Sequence, residues 1–119
     1  MPEMRRRVLI VEDEMVIAMH LEDMLAELGH EVVGLASRLE AAMRLARDGD
    51  MDLAVLDINL AGLTSFPAAD ILRSRSIPYF FTSGYGHMDL AGRPGSERIL
   101  TKPFQTQDLA RAINEAVVS

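Results

Sequence analysis

Short, unbroken apolar runs alternate along this chain with longer segments whose apolar residues recur every three or four positions. No other feature narrows the fold so far. The run Val8–Val11 stops at Glu12 and Asp13, and from Glu14 to Leu28 the residues Ile17, Leu21, Met24, Leu25 and Leu28 keep helical spacing until Gly29. The pair repeats. "EVVGLA" at 31–36 reads as a strand, and "SRLE" at 37–40 reads as a capping box opening a helix to about Asp48. "LAVLD" at 53–57 is a third strand, followed by "INLAGLTS" as a loop and a helix that Pro67 starts and that runs to about Arg75. "IPYFFTS" at 77–83 and "RILT" at 98–101 are two further strands, and 106–118 is a closing amphipathic helix. Between them "GYGHMDLAGRPGSER" is rich in glycine, so the fourth helix is expected to be short or irregular.

Continuous apolar strands alternating with helices imply an α/β fold, a parallel sheet covered on both faces. For five strands the common solution is the doubly wound, flavodoxin-like order 2-1-3-4-5, with the functional crevice at the carboxyl ends of strands one and three. With 119 residues and no internal repeat or linker, one domain over 1–119 is expected.

Composition removes several function classes. There is no cysteine, hence no disulfide, thiolate nucleophile or sulfur-ligated metal. A net charge of -6 disfavours nucleic acid as a direct partner, and "RRR" at 5–7 reads as a solvated strand entry. The first apolar run is too short for a signal peptide and no segment could span a bilayer, so a cytoplasmic protein without membrane contact is expected. His20, His30 and His87 have no ligand spacing and are expected at the surface or at helix ends, and the eight methionines mostly at helical core positions, needing no cofactor.

The fold rule sends Glu12, Asp13, Asp57, Thr82, Ser83 and Lys102, the chain's only lysine, to one edge of the sheet. Three carboxylates there repel one another unless a hard cation relieves them, and oxygen ligands suit Mg²⁺. A lysine ammonium and a hydroxyl complete a pocket for a group with anionic oxygens, beside a carboxylate able to act as nucleophile. Each residue also has a purely structural reading: Glu12 and Asp13 as helix-start acids, Asp57 as a turn former, Ser83 as a loop hydroxyl and Lys102 as a surface cation.

"VLIVEDE", "AVLDINL", "IPYFFTSGY" and "LTKPF", in this order and spacing, resemble the receiver domains of bacterial two-component response regulators, over essentially the whole chain. "FTSGYG" further resembles stand-alone receivers of alphaproteobacteria. The resemblance implies a signalling module that accepts a phosphoryl group from a sensor histidine kinase or phosphotransfer protein, using Mg²⁺, and signals to a downstream protein. It implies that Asp57 is the phosphoacceptor, that Glu12 and Asp13 are the acidic pair, with Asp13 the direct metal ligand, and that Asn59 offers its backbone carbonyl to the metal. Ser83, with Gly84 beside it, and Lys102 are implied to contact the phosphoryl group, and the family often holds the bond to Pro103 in cis. Two positions depart from the family pattern: Ala61 stands where a proline is usual, and Ile99 where the switch aromatic is usual. Tyr85 is either packing or a shield over the acyl phosphate.

Self-phosphotransfer and slow self-hydrolysis are the only reactions then expected, not enzymatic turnover. Two other readings compete: a Mg²⁺-dependent phosphatase with an aspartyl nucleophile, disfavoured because Asn59 is no acid, and a phosphate-independent scaffold, disfavoured by the complete residue set. A flavin-binding module lacks its phosphate cradle in the first loop.

Overall fold

The computed structural model describes residues 5–84 and 99–118. In chain order the elements are β1 (Arg7–Val11), α1 (Met15–Glu27), β2 (Glu31–Ala36), α2 (Leu39–Asp48), β3 (Leu53–Asp57), β4 (Asn59–Leu60), β5 (Leu63–Thr64), α3 (Phe66–Ser74), β6 (Tyr79–Ser83), β7 (Ile99–Thr101) and α4 (Thr106–Val118). The main sheet is parallel with order β2-β1-β3-β6-β7. Counting only its own strands, this is the expected order 2-1-3-4-5.

Alternation within the central strands builds two cores, one on each face. Leu9 and Val11 of β1, Ala54 and Leu56 of β3, and Tyr79 and Phe81 of β6 turn toward α2 and α3. Val8, Ile10, Leu53, Val55 and Phe80 turn the other way, onto Leu21, Leu25, Leu109 and Ile113 of α1 and α4. All five residues of β3 and of β6 are buried, which is why each reads as an apolar run, Leu53–Leu56 and Tyr79–Phe81, up to the polar residues at its carboxyl end. Each fully buried side chain of this size contributes about 1.5–3 kcal/mol, so the sheet centre is fixed far more firmly than its edge.

The edge strand is less regular. Val8 pairs with Val32 but Leu9 with Gly34, so β2 carries an extra residue, Val33, as a bulge. The bulge turns Gly34 toward α2, where a Cβ would approach Leu9 Cδ1 to 3.2 Å.

Local expectations fare unevenly. Pro67 lies in the first turn of α3 as expected. The capping box does not form: β2 runs to Ala36, the turn takes one more residue, and Arg38 occupies the N-cap without a side-chain bond. Glu40 instead acts as a first-turn acid. "INLAGLTS" is not an open loop, because β4 and β5 pair antiparallel around Ala61 and Gly62, both at positive φ (51° and 91°), a tight two-residue hairpin. Met24 and Met51 are buried, yet Met15 and Met19 are more than half exposed on α1. The expected fourth helix falls outside the described residues. Among the described residues no helix is long and apolar enough to cross a membrane.

Candidate functional site

The carboxyl ends of β1, β3, β6 and β7 meet at one edge of the sheet, and the expected residues leave from them. Glu12, Asp13 and Asp57 each bring a carboxylate oxygen within 4.8 Å of the others. Lys102 follows β7; its N–H donates to the Ser83 carbonyl at 2.8 Å, extending the β6–β7 pairing, and the Lys102–Pro103 bond is cis. Lys102 Nζ donates to Glu12 Oε1 at 2.9 Å and to Asp57 Oδ2 at 3.0 Å. Both carboxylates are almost wholly removed from water.

Backbone amides take up most of the remaining acceptors. The Glu14 N–H donates to Glu12 Oε2, the Asn59 N–H to Asp57 Oδ1, and the Ala61 N–H to Asp13 Oδ2 at 3.0 Å. Asp13 Oδ1 is then the one oxygen of the three carboxylates without a partner among the described residues. Burial pushes the Glu12 carboxyl up to about 7; the Lys102 bond and the Glu14 amide pull it down, and the Asp57 charge adds to the rise. Burial pulls Lys102 down, but its bonds to Glu12 and Asp57 outweigh that and leave its pKa above the ordinary lysine value. The donor set is all oxygen, compact and anionic, which fits Mg²⁺ rather than a softer ion.

A cleft of about 590 Å³ opens over this edge. Asp13, Asp57, Asn59, Ser83, Gly84 and Lys102 form its polar end, while Ile17, Leu21, Met24 and Phe104 form an apolar extension along α1. Ser83, not Thr82, lines it among the described residues, although the two are adjacent and both buried. Gly84 is exposed, and a Cβ there would stand 3.8 Å from Lys102 Cδ, an ordinary contact. Ile99 is half-buried, paired with Phe81 and packed on the α2–α3 core. Tyr85 and His87 lie outside the described residues. His20 is exposed on the cleft wall, and His30 Nδ1 accepts the Arg6 N–H.

Sequence reasoning missed the amide contacts of Glu14 and Ala61. The signal for the second was present in "NLAGLT", two short segments separated by two residues that include a glycine.

The model of the response regulator receiver domain matches residues 8–114. The chain belongs to this family. Among relatives, the transcriptional regulatory protein PdtaR of Mycobacterium tuberculosis is 38% identical over 116 residues, covering 94% of this chain and 57% of PdtaR. Among solved structures, SdrG of Sphingomonas melonis Fr1 superposes with a TM-score of 0.82 at 37% identity, covering 96% of this chain and 98% of that one. The anti-anti-sigma factor PhyR of Bartonella quintana superposes with a TM-score of 0.85 at 33% identity, covering 97% of this chain and 48% of PhyR. This receiver domain therefore spans about half the length of the curated relatives it matches, and nearly all of SdrG. The family is that of two-component signalling, whose receiver domains bind Mg²⁺ at an acidic pocket.

Proposed function

We propose that this receiver domain is a phosphorylation-controlled signalling module in which Asp57 accepts a phosphoryl group from a phosphohistidine. The observation that carries the reading is Lys102 Nζ held between Asp57 and Glu12 at the end of the sheet, with Asp13 and Ser83 on the same cleft. In the transfer, an Asp57 carboxylate oxygen attacks phosphorus, the P–N bond to the donor histidine breaks, and the imidazole leaves with the bonding pair and takes a proton. Little covalent chemistry falls to the protein, so positioning and charge neutralisation dominate. Lys102 is placed to exchange its bond to the Asp57 carboxylate for one to a phosphoryl oxygen. The Ser83 hydroxyl and the Gly84 amide supply further donors. Glu12, Asp13, Asp57 and the Asn59 carbonyl would hold Mg²⁺, which supplies charge neutralisation for the phosphoryl oxygens.

The donor is a sensor histidine kinase or a phosphotransfer protein. The apolar extension of the cleft, with Met15, Val16 and Met19 exposed beside it, suits a partner helix laid along α1. The names of PdtaR and PhyR point to regulation of transcription and of sigma-factor control in those proteins; for this chain a downstream protein partner is proposed, without direct contact to nucleic acid or membrane. Ile99 is stiff at χ1 and packed against its neighbours, so activation does not pass through a swinging ring at that position.

Incubating the protein with Mg²⁺ and a small acyl phosphate, then measuring intact mass, tests the reading. One phosphoryl adduct is expected on the parent and none on Asp57→Asn. A folded, metal-binding parent that gains no adduct would overturn it, and turnover of many phosphomonoesters would point to a phosphatase instead.

A further inference from the structure

Asp13 and Ala61 are 48 positions apart in the chain, yet the two-residue β4–β5 turn delivers the Ala61 amide to the Asp13 carboxylate. The hairpin is anchored at each level. At its base the Ser65 N–H donates to the Ile58 carbonyl at 2.8 Å and the Asn59 N–H to Asp57 Oδ1. In its body Leu60 is buried in the α2–α3 core. At its tip the Gly62 N–H donates to Asn59 Oδ1 at 2.9 Å, closing the turn, and the Ala61 N–H is left to point outward to Asp13 Oδ2. Asn59, Ala61, Gly62 and Leu63 are otherwise exposed, so the tip rests on the acidic cluster rather than on a core of its own.

We propose that Ala61 is a positioning residue for the metal site: its backbone N–H, presented by the β4–β5 turn, holds Asp13 Oδ2 and leaves Oδ1 for the cation. The proposal rests on the metal-dependent reading above. A carboxylate with one oxygen already held by a backbone amide has fewer orientations to lose on binding, and its other oxygen stays available to the cation. The role belongs to the backbone, so the side chain is free to vary only within limits. A residue here must donate an amide proton and accept φ near 51°. Glycine meets both demands; proline meets neither, since it has no N–H and holds φ near about −65°.

The test is Mg²⁺ titration of the full chain, followed by amide chemical shifts, for the parent, Ala61→Gly and Ala61→Pro, with thermal unfolding in the absence of Mg²⁺ measured alongside. Loss of an outer partner of a metal ligand typically weakens affinity about 10–100-fold. Ala61→Pro is expected to fall in that range while Ala61→Gly stays near the parent, whatever either change does to metal-free stability. If Ala61→Pro does not fold, hydrogen exchange decides. The Ala61 amide should be protected in the parent with and without Mg²⁺ and lose that protection in Asp13→Ala, while the Gly62 amide, bonded to Asn59, keeps its own. Equal Mg²⁺ affinity in parent and Ala61→Pro, or an Ala61 amide that exchanges as an open one in the Mg²⁺-loaded parent, overturns the proposal. A folded parent that binds no Mg²⁺ overturns the metal site itself and the reading beneath it.

Discussion

Lys102 holds apart, and together, two carboxylates that would otherwise face each other out of water. Its two bonds come from residues 90 and 45 positions away in sequence, so its removal is felt across the sheet end. Lys102→Ala should cost about 3 kcal/mol at a pH near 8, the low end for breaking a buried ion pair, measured by urea unfolding. The cost should shrink below neutrality, where Glu12 takes up a proton instead. Glu12 itself sets a pH dependence whose sign is opposite to that of most carboxylates. Its folded pKa of about 7 lies above the ordinary 4.5, so the folded state binds the proton more tightly. The stability it contributes is therefore highest at low pH, falls as pH rises from about 4.5 to about 7, and is level above. A cation held by Glu12 would displace that proton, so apparent Mg²⁺ affinity should rise with pH up to about pH 8 and then plateau; titrations at several pH values check it, and a flat profile would contradict it. The departure at Ala61 also gains a physical reason at this scale, because the amide bonded to Asp13 and the positive φ both exclude proline.

Among the elements, the helix ends behave differently from what residue types suggest. Ser65 stands at the N-cap of α3, where serine to alanine usually costs about 1 kcal/mol. Here its side chain makes no capping bond, and its buried Oγ has no partner among the described residues. Ser65→Ala should therefore be neutral or stabilising by up to about 1 kcal/mol, read from thermal unfolding. The C-terminus of α2 is secured from outside: Arg75 Nη1 donates to the Ala46 carbonyl at 2.7 Å and to the Gly49 carbonyl at 2.9 Å. Gly49 has an ordinary φ of -78, so its need for glycine is steric. A Cβ there would lie 2.5 Å from the Leu45 carbonyl oxygen and 2.8 Å from Met51 Cε. Gly49→Ala should destabilise by about 1–3 kcal/mol, in contrast to Ser65→Ala at the start of α3. "SRLE" failed as a capping box for a related reason: where a helix begins depends on how many residues the turn from the sheet consumes, and Ala36 is still paired with Val11.

For the molecule as a whole, the acidic edge is the part of the fold that a bound cation would stabilise. Whatever binds only the folded state adds RT ln(1 + [L]/Kd), about 2.7 kcal/mol at a hundred times Kd. Mg²⁺ should raise the thermal midpoint of the parent and leave Asp13→Ala unmoved; an equal rise in both would show that the ion acts elsewhere. The two-sided core that carries this edge was legible in the sequence, since β3 and β6 are buried throughout and read as apolar runs up to Asp57 and Thr82. The exposure of Met15 and Met19 was not legible, because helical spacing marks one face of α1 without saying how wide the covered stripe is.

Residue order alone determined the strand–helix alternation, the parallel sheet and the edge at which Glu12, Asp13, Asp57, Ser83 and Lys102 would gather. Those follow from local periodicity and from a topological rule that needs no side-chain detail. Only the tertiary structure decided which carboxylates share the lysine, that β2 carries a bulge at Val33, and that a hairpin tip 48 positions from Asp13 supplies its amide. Such contacts depend on the distances between elements once the core has packed, to within a fraction of an ångström, and no local pattern of residues encodes that.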